Sequence, residues 1–144
     1  MCIRDSLNPD LRFIEEAAML HDIGIFLTNA PSIECFWKNP YICHGYLGRE
    51  ILEAEWFPKH ALVCERHTWI SLQDIIKQNL PIPKREMLPI SIEEEIISFA
   101  DKFFSKSEKN LNKEKSIDQI KEGLLNFGND RVKLFEEWTI KYWY

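Results

Sequence analysis

The sequence predicts an all-α protein, a helical bundle, and three observations carry the prediction. Apolar residues recur at i, i+3, i+4 and i+7 in successive windows, the spacing of one helix face. No stretch shows the apolar–polar alternation of a half-buried strand, and no internal repeat or Gly-rich phosphate loop interrupts the pattern. Four of the helical windows also place a histidine or an aspartate beside or among the apolar residues of the face. Bundles build metal sites from inward side chains on facing helices.

The totals fit one soluble domain. The chain has 144 residues, 45% of them hydrophobic and 28% charged, enough for a real core. A net charge of −5 gives no electrostatic footprint for a nucleic-acid polymer or an anionic membrane. No apolar run approaches the roughly 20 residues that span a bilayer. The four cysteines, Cys2, Cys35, Cys43 and Cys64, form no CxxC pair. They read as reduced spectator thiols of a cytoplasmic protein.

Met1 to Ser6 connects poorly to the helical pattern after it and reads as a non-native leader. Asn8-Pro9 starts a first helix, expected from about Pro9 to Asp22, with Asn8 as its cap. Ile14, Ala17, Ala18 and His21 share one side of it. Asp22 lies about 100° round the same helix, and Ile23-Gly24 ends it. Alone, this His-Asp pair reads as a helix cap with a solvated aspartate. A carboxylate beside a core face is costly unless something compensates it, and a metal cation would do so. Residues 25 to 40 form a connection closed by the turn Lys38-Asn39-Pro40.

A second helix is expected from Tyr41 to Glu55, with His44, Leu47, Gly48 and Ile51 on its inner face and Gly48 admitting a close neighbour. A third starts at Pro58, with Ala61, Cys64, His67 and Thr68 on one face and His60 exposed. Residues 69 to 92 read as a long ordered loop, because Leu80-Pro81-Ile82-Pro83 and Leu88-Pro89 cannot be helix interior. Ser71 to Ile76 offers a helical turn or two. Ser91-Ile92-Glu93-Glu94 reads as a capping box opening a helix that runs through Phe104. In it Asp101 falls on an apolar face with Ile97 and Phe104. Ser105 to Lys115 is a polar, lysine-rich linker. Ile117, Ile120, Leu124 and Phe127 mark an amphipathic helix ending at Gly128, and a last helix runs from Asp130. Its aromatic end, Trp138 to Tyr144, suits packing on the bundle or on a partner subunit, so a homodimer is compatible with the sequence.

Five residues stand out: His21, Asp22, His44, His67 and Asp101. Each buried polar group would otherwise need its own partner, whereas a shared cation satisfies all of them. Imidazole and carboxylate suit Fe, Mn, Zn or Co, and the lack of cysteine in the set argues against a closed structural zinc site.

In these residues the chain resembles the HD-domain metal-dependent phosphohydrolases, in the branch marked by His-Asp-Ile-Gly, here His21-Asp22-Ile23-Gly24. The resemblance covers about Leu11 to Lys106. It includes the lead-in EEAAMLHDIG, His44 to Arg49, Cys64 to Thr68, and Phe99 to Lys102. It implies that His21, Asp22 and Asp101 bind one metal and that Asp22 bridges to a second held by His44 and His67. One or two divalent ions would activate a water against a small phosphorylated substrate such as a nucleotide. Arg66, Lys102 and Thr68 are the candidates for phosphate contact, with Asp22, Arg66 and Lys102 as the catalytic set. Structural readings stand beside these: salt bridges for Arg66 and Lys102, and a helix-end hydrogen bond for Thr68. Arg49 reads as a solvated helix residue.

The chain departs from the family pattern in three places. No histidine precedes His21, which implies a core over residues 7–106 that lacks its first helix, followed by helices over 107–144 packed on it. Ile25 stands where many relatives carry lysine. Trp69-Ile70 stands where relatives often carry glycine. A non-catalytic module binding metal or nucleotide for regulation is the alternative function.

Overall fold

The structure is a computed structural model and describes residues 8–106 and 112–143. The expected leader at 1–6 and the middle of the expected linker, 107–111, lie outside the described residues. Seven α-helices dominate the described residues, in two compact units.

The first unit, Asp10–Ser98, holds the His-Asp segment. Helix α1 spans Leu11–Leu20. Its cap is Asp10, whose carboxylate accepts from the Phe13 N–H at 3.0 Å. This corrects the expectation at Asn8, which takes a left-handed φ of 38°. The helix also stops short of Asp22, and His21 closes it.

The connection after α1 is built of short turns. A 3-10 turn covers Ile23–Leu27, and strands β1 (Asn29–Ala30) and β2 (Cys35–Phe36) pair antiparallel around a second turn at Pro31–Ile33. Two residues per strand are too few to show alternation in sequence, so the all-helical expectation missed them. Asn39 pins the hairpin: its side-chain amide donates to Leu27 O at 2.9 Å, and its carbonyl accepts from Asn29 N–H at 2.7 Å.

Helix α2 spans His44–Ala54 after a 3-10 turn at Tyr41–Cys43, and α3 spans Pro58–Arg66. Three segments meet here with almost no space between backbones. A Cβ on Gly24 would lie 2.1 Å from His44 O and 2.5 Å from Gly48 N. A Cβ on Gly48 would lie 3.2 Å from Gly24 N and 3.3 Å from Cys64 Cβ. Gly48 thus admits the neighbour expected of it, and that neighbour is the chain just after the His-Asp pair.

His60 is corrected from exposed to covered. Its ring lies edge-on to Phe13 and Phe57, with centroids at 4.8 and 5.4 Å, and its Nε2 is 3.2 Å from Glu16. Beyond α3, Trp69 takes a left-handed φ of 60° while its indole is only 4% exposed. Glycine enters that backbone region freely and other residues at a cost. Burial of the indole offsets that cost.

Helix α4 spans Leu72–Gln78 and opens with a full capping box between Ser71 and Asp74. The loop after it packs Ile82 and Met87 against Cys43, Leu47 and Ile75. It is also tied down by charge. The buried Glu65 carboxylate accepts from Arg49 Nη1 at 2.5 Å and from Arg85 Nε at 2.8 Å. Arg49 also reaches Glu53 at 2.7 Å, so it is a bridging residue and not a solvated one.

Helix α5 spans Ile92–Asp101 and runs from the first unit into the second. Only half of its expected capping box forms. Glu94 N–H donates to Ser91 Oγ at 3.2 Å, but the Glu94 carboxylate accepts from Ile90 N–H at 2.8 Å and from Arg66. The helix ends at Asp101, so Phe104 lies beyond it and is exposed.

The second unit runs from Phe99. Helices α6 (Ile117–Leu125) and α7 (Asn129–Tyr142) pair within it, and Ser116 with Gln119 forms the box that opens α6. Phe99 and Phe103 surround Phe135, at 5.3 and 6.1 Å between centroids, and Tyr142 is fully buried beside Phe99. The aromatic end of α7 therefore packs inside this unit. Phe127, expected on the apolar face of α6, is exposed.

The glycine contacts give a paired expectation. Gly24→Ala drives a methyl into the α2 backbone and should lower stability in urea unfolding by about 3 kcal/mol. Gly123→Ala, where a Cβ meets nothing within 4 Å in α6, should raise it by about 0.5–1 kcal/mol. Equal effects would show that the close approach does not constrain the fold.

Candidate metal centre

Four of the five expected ligands come together in the first unit. Asp22 and His21 stand at the end of α1, His44 opens α2, and His67 closes α3. Asp22 Oδ1 lies 3.3 Å from His67 Nε2 and 3.7 Å from His44 Nε2. Its other oxygen, Oδ2, lies 3.1 Å from His21 Nε2. The two inner imidazoles meet Nε2 to Nε2 at 3.1 Å. One carboxylate thus faces three ring nitrogens, with one oxygen turned to each side.

The backbone sets the orientation of every ring. His21 Nδ1 donates to Ala18 O at 2.6 Å, His44 Nδ1 to Tyr41 O at 2.8 Å, and His67 Nδ1 to Cys64 O at 2.6 Å. Each acceptor is three residues back: for His21 and His67 it is a carbonyl in the last turn of the helix that the histidine closes, and for His44 it is the carbonyl of the 3-10 turn that leads into α2. A carbonyl can only accept, so each Nδ1 carries the proton. In a neutral imidazole the Nε2 then presents a lone pair. Lone pairs on His44 and His67 face each other and a carboxylate oxygen, an arrangement that a cation between them would satisfy. The donor set therefore fits a divalent ion, and the Nδ1 bonds are the outer-shell contacts that fix tautomer in metal-binding histidines. His44 and His67 are buried, which keeps water from competing for their lone pairs.

The thiols stay out of the set. Burial, followed by the nearby Asp22 charge, pushes the Cys64 thiol up to about 12, and its S–H donates to Leu20 O at 3.1 Å. Burial also raises Cys43, which donates to Pro81 O at 3.5 Å. Metal ligation needs thiolate, so both cysteines act as packing residues.

The remaining candidates each have partners of their own. Asp101 is the last residue of α5, with its carboxylate 3.9 Å from Lys102 Nζ and 3.6 Å from Lys106 Nζ. It belongs, like Lys102, to the second unit. Arg66 Nη1 donates to both oxygens of Glu94, at 2.9 and 3.1 Å. Thr68 Oγ1 donates to Glu65 O at 2.9 Å, the helix-end hydrogen bond open to it. Sequence reasoning passed over Tyr41, whose ring lies against His44 with centroids 4.6 Å apart. Its spacing, three residues before His44, is the signal that could have found it.

Comparisons with known proteins place the chain in a family. The family model described as HD domain matches residues 1–105, and the chain belongs to the HD-domain family. Among curated proteins it is 28% identical over 95% of its length to a tRNA (cytidine(56)-2'-O)-methyltransferase of Picrophilus torridus. It is 25% identical over 92% of its length to the protein of the same name from Thermoplasma volcanium. It is 33% identical over 64% of its length to an uncharacterized protein of Methanocaldococcus jannaschii. The chain spans 37%, 36% and 48% of those three relatives respectively. No solved structure matches it.

Cation binding here is directly testable. Adding Mn²⁺, Co²⁺ or Zn²⁺ at 100 times its Kd should stabilise the protein by about 2.7 kcal/mol, read as a rise in Tm. Asp22→Asn and His67→Gln should each abolish the rise. Undiminished stabilisation of both variants would place the ion elsewhere.

Proposed function

We propose that this HD-domain protein is a metal-dependent phosphohydrolase that cleaves a phosphate ester of a nucleotide or a related small molecule. The observation that carries the reading is the single carboxylate of Asp22 facing three imidazoles whose lone pairs are all aimed at it. His44, His67 and Asp22 Oδ1 would hold one ion, and His21 with Asp22 Oδ2 would contribute to a second. A divalent ion held there supplies Lewis-acid activation of water and neutralises charge that develops on a phosphoryl group. The chain's own part is to fix the tautomer and the aim of three imidazoles through their Nδ1 bonds, and to exclude bulk water at His44 and His67.

Asp101 enters the proposal as a ligand from the sequence resemblance, and Arg66, Thr68 and Lys102 enter as phosphate contacts on the same ground. Arg66 and Thr68 are already engaged by Glu94 and by the Glu65 carbonyl, so phosphate contact by either means exchanging or sharing those bonds. The proposed setting is the cytoplasm, with a small phosphorylated substrate and neither a nucleic-acid polymer nor a membrane as partner. Among the described residues no helix is long and apolar enough to cross a membrane.

A second reading is favoured by one observation. Two matched relatives bear the name of a tRNA methyltransferase, and the chain matches just over a third of each. A domain of this kind could bind metal or nucleotide as a module serving another activity.

The expected result for Asp22→Ala is loss of metal and of phosphate release together, with turnover reduced at least a thousandfold, about 4 kcal/mol of barrier. Retained turnover sinks the hydrolase reading. A metal-loaded wild type that releases phosphate from no nucleotide or sugar phosphate establishes the binding module instead.

A further inference from the structure

We propose that Tyr41 is the stacking platform for the base of a nucleotide substrate, placed beside the metal centre by the turn that also fixes His44. The proposal deepens the hydrolase reading above and rests on it for the location of the phosphate.

Tyr41 has two separate relations to His44. Its carbonyl accepts from the His44 Nδ1, and its ring lies on the imidazole at 4.6 Å and 33°. The carbonyl alone would orient the ligand, and any residue could supply it. The ring goes further, because 39% of the residue's surface remains open to solvent. If covering His44 were the whole task, an aliphatic side chain would do it without leaving a large flat surface in water.

The connection from Asp22 to His44 repeats this choice. It presents Phe26, Phe36 and Trp37 to solvent, each more than half exposed. The hairpin bonds of Asn39 hold this stretch in one conformation, so its aromatic surfaces are held ready and need not be gathered on binding. Exposed aromatic area is unfavourable in water, and here it is concentrated in the segment joining two metal ligands.

A flat π surface next to a phosphate-binding centre suits a ligand with phosphate at one end and a planar heterocycle at the other. Base–aromatic stacking is worth about 1–3 kcal/mol and tolerates any base. The site would therefore discriminate nucleotides from simple sugar phosphates, while discriminating weakly among bases.

The test compares AMP with ribose 5-phosphate, which share the phosphoester and differ in the base. KM is measured where the ligand turns over and Kd by calorimetry where it does not, on metal-loaded protein whose metal content is checked for each variant. Wild type should favour AMP about tenfold. Tyr41→Phe should keep that preference. Tyr41→Leu, which retains apolar cover over His44, should erase it by weakening AMP alone, with ribose 5-phosphate and metal content unchanged. An equal loss on both ligands, a loss of metal, or an unaltered preference in Tyr41→Leu overturns the platform. So does a wild type that does not distinguish the two ligands. AMP that binds with the expected preference but releases no phosphate removes the hydrolase reading and leaves the platform standing.

Discussion

The hydrogen bond from an imidazole Nδ1 to the carbonyl three residues back is the contact on which the site depends. It recurs at His21, His44 and His67. Each time the acceptor belongs to the adjoining helical turn, so the ring's orientation is a by-product of ending or starting a helix at that residue. No distant partner has to be recruited. The arrangement leaves every Nε2 able to accept and gathers three of them about the Asp22 carboxylate.

Bringing those helix ends together is a matter of backbone clearance. Gly24 and Gly48 let the chain after α1 lie directly on α2, and Cys64 of α3 closes on the same spot. The small residues are therefore part of the site's geometry, Gly24 lying on the His44 backbone and Cys64 accepting from His67. Glu65 and Arg66, the two residues before His67, are each tied to a different neighbour, Arg49 with Arg85 and Glu94 respectively. Both ties cross from α3 to other segments, and they fix the helix end that carries the most buried histidine.

Six of the seven helices among the described residues and most of their inward faces were legible in the sequence, because a helix face repeats every three or four residues and the histidines fell on that period, whereas α4 was expected only as a helical turn or two. What stayed hidden has a common physical character. The Asp10 cap, the two-residue strands and the end of α5 at Asp101 are set by contacts within a turn or two, where several local choices have similar energies. The Arg49–Glu65–Arg85 network and the cover that Phe13 and Glu16 give His60 join residues 16 to 47 positions apart, and no local pattern records such pairings. Phe127 satisfied the period of α6 yet lies just past its end, where the face it would have joined no longer exists. At the site, His21, Asp22, His44 and His67 converge as their spacing implied. Tyr41 was missed because aromatic residues before a helix are ordinary.

Trp69 carries a consequence of a different kind. Its backbone sits where glycine is most at ease, and its indole fills a space that glycine would leave empty. A change to glycine relaxes the main chain and opens a void at once, while the reverse change in a relative would fill space that is not there. Main-chain ease and core volume therefore pull in opposite directions at position 69, and a second change that resizes the surrounding core is what would let glycine stand there without a void.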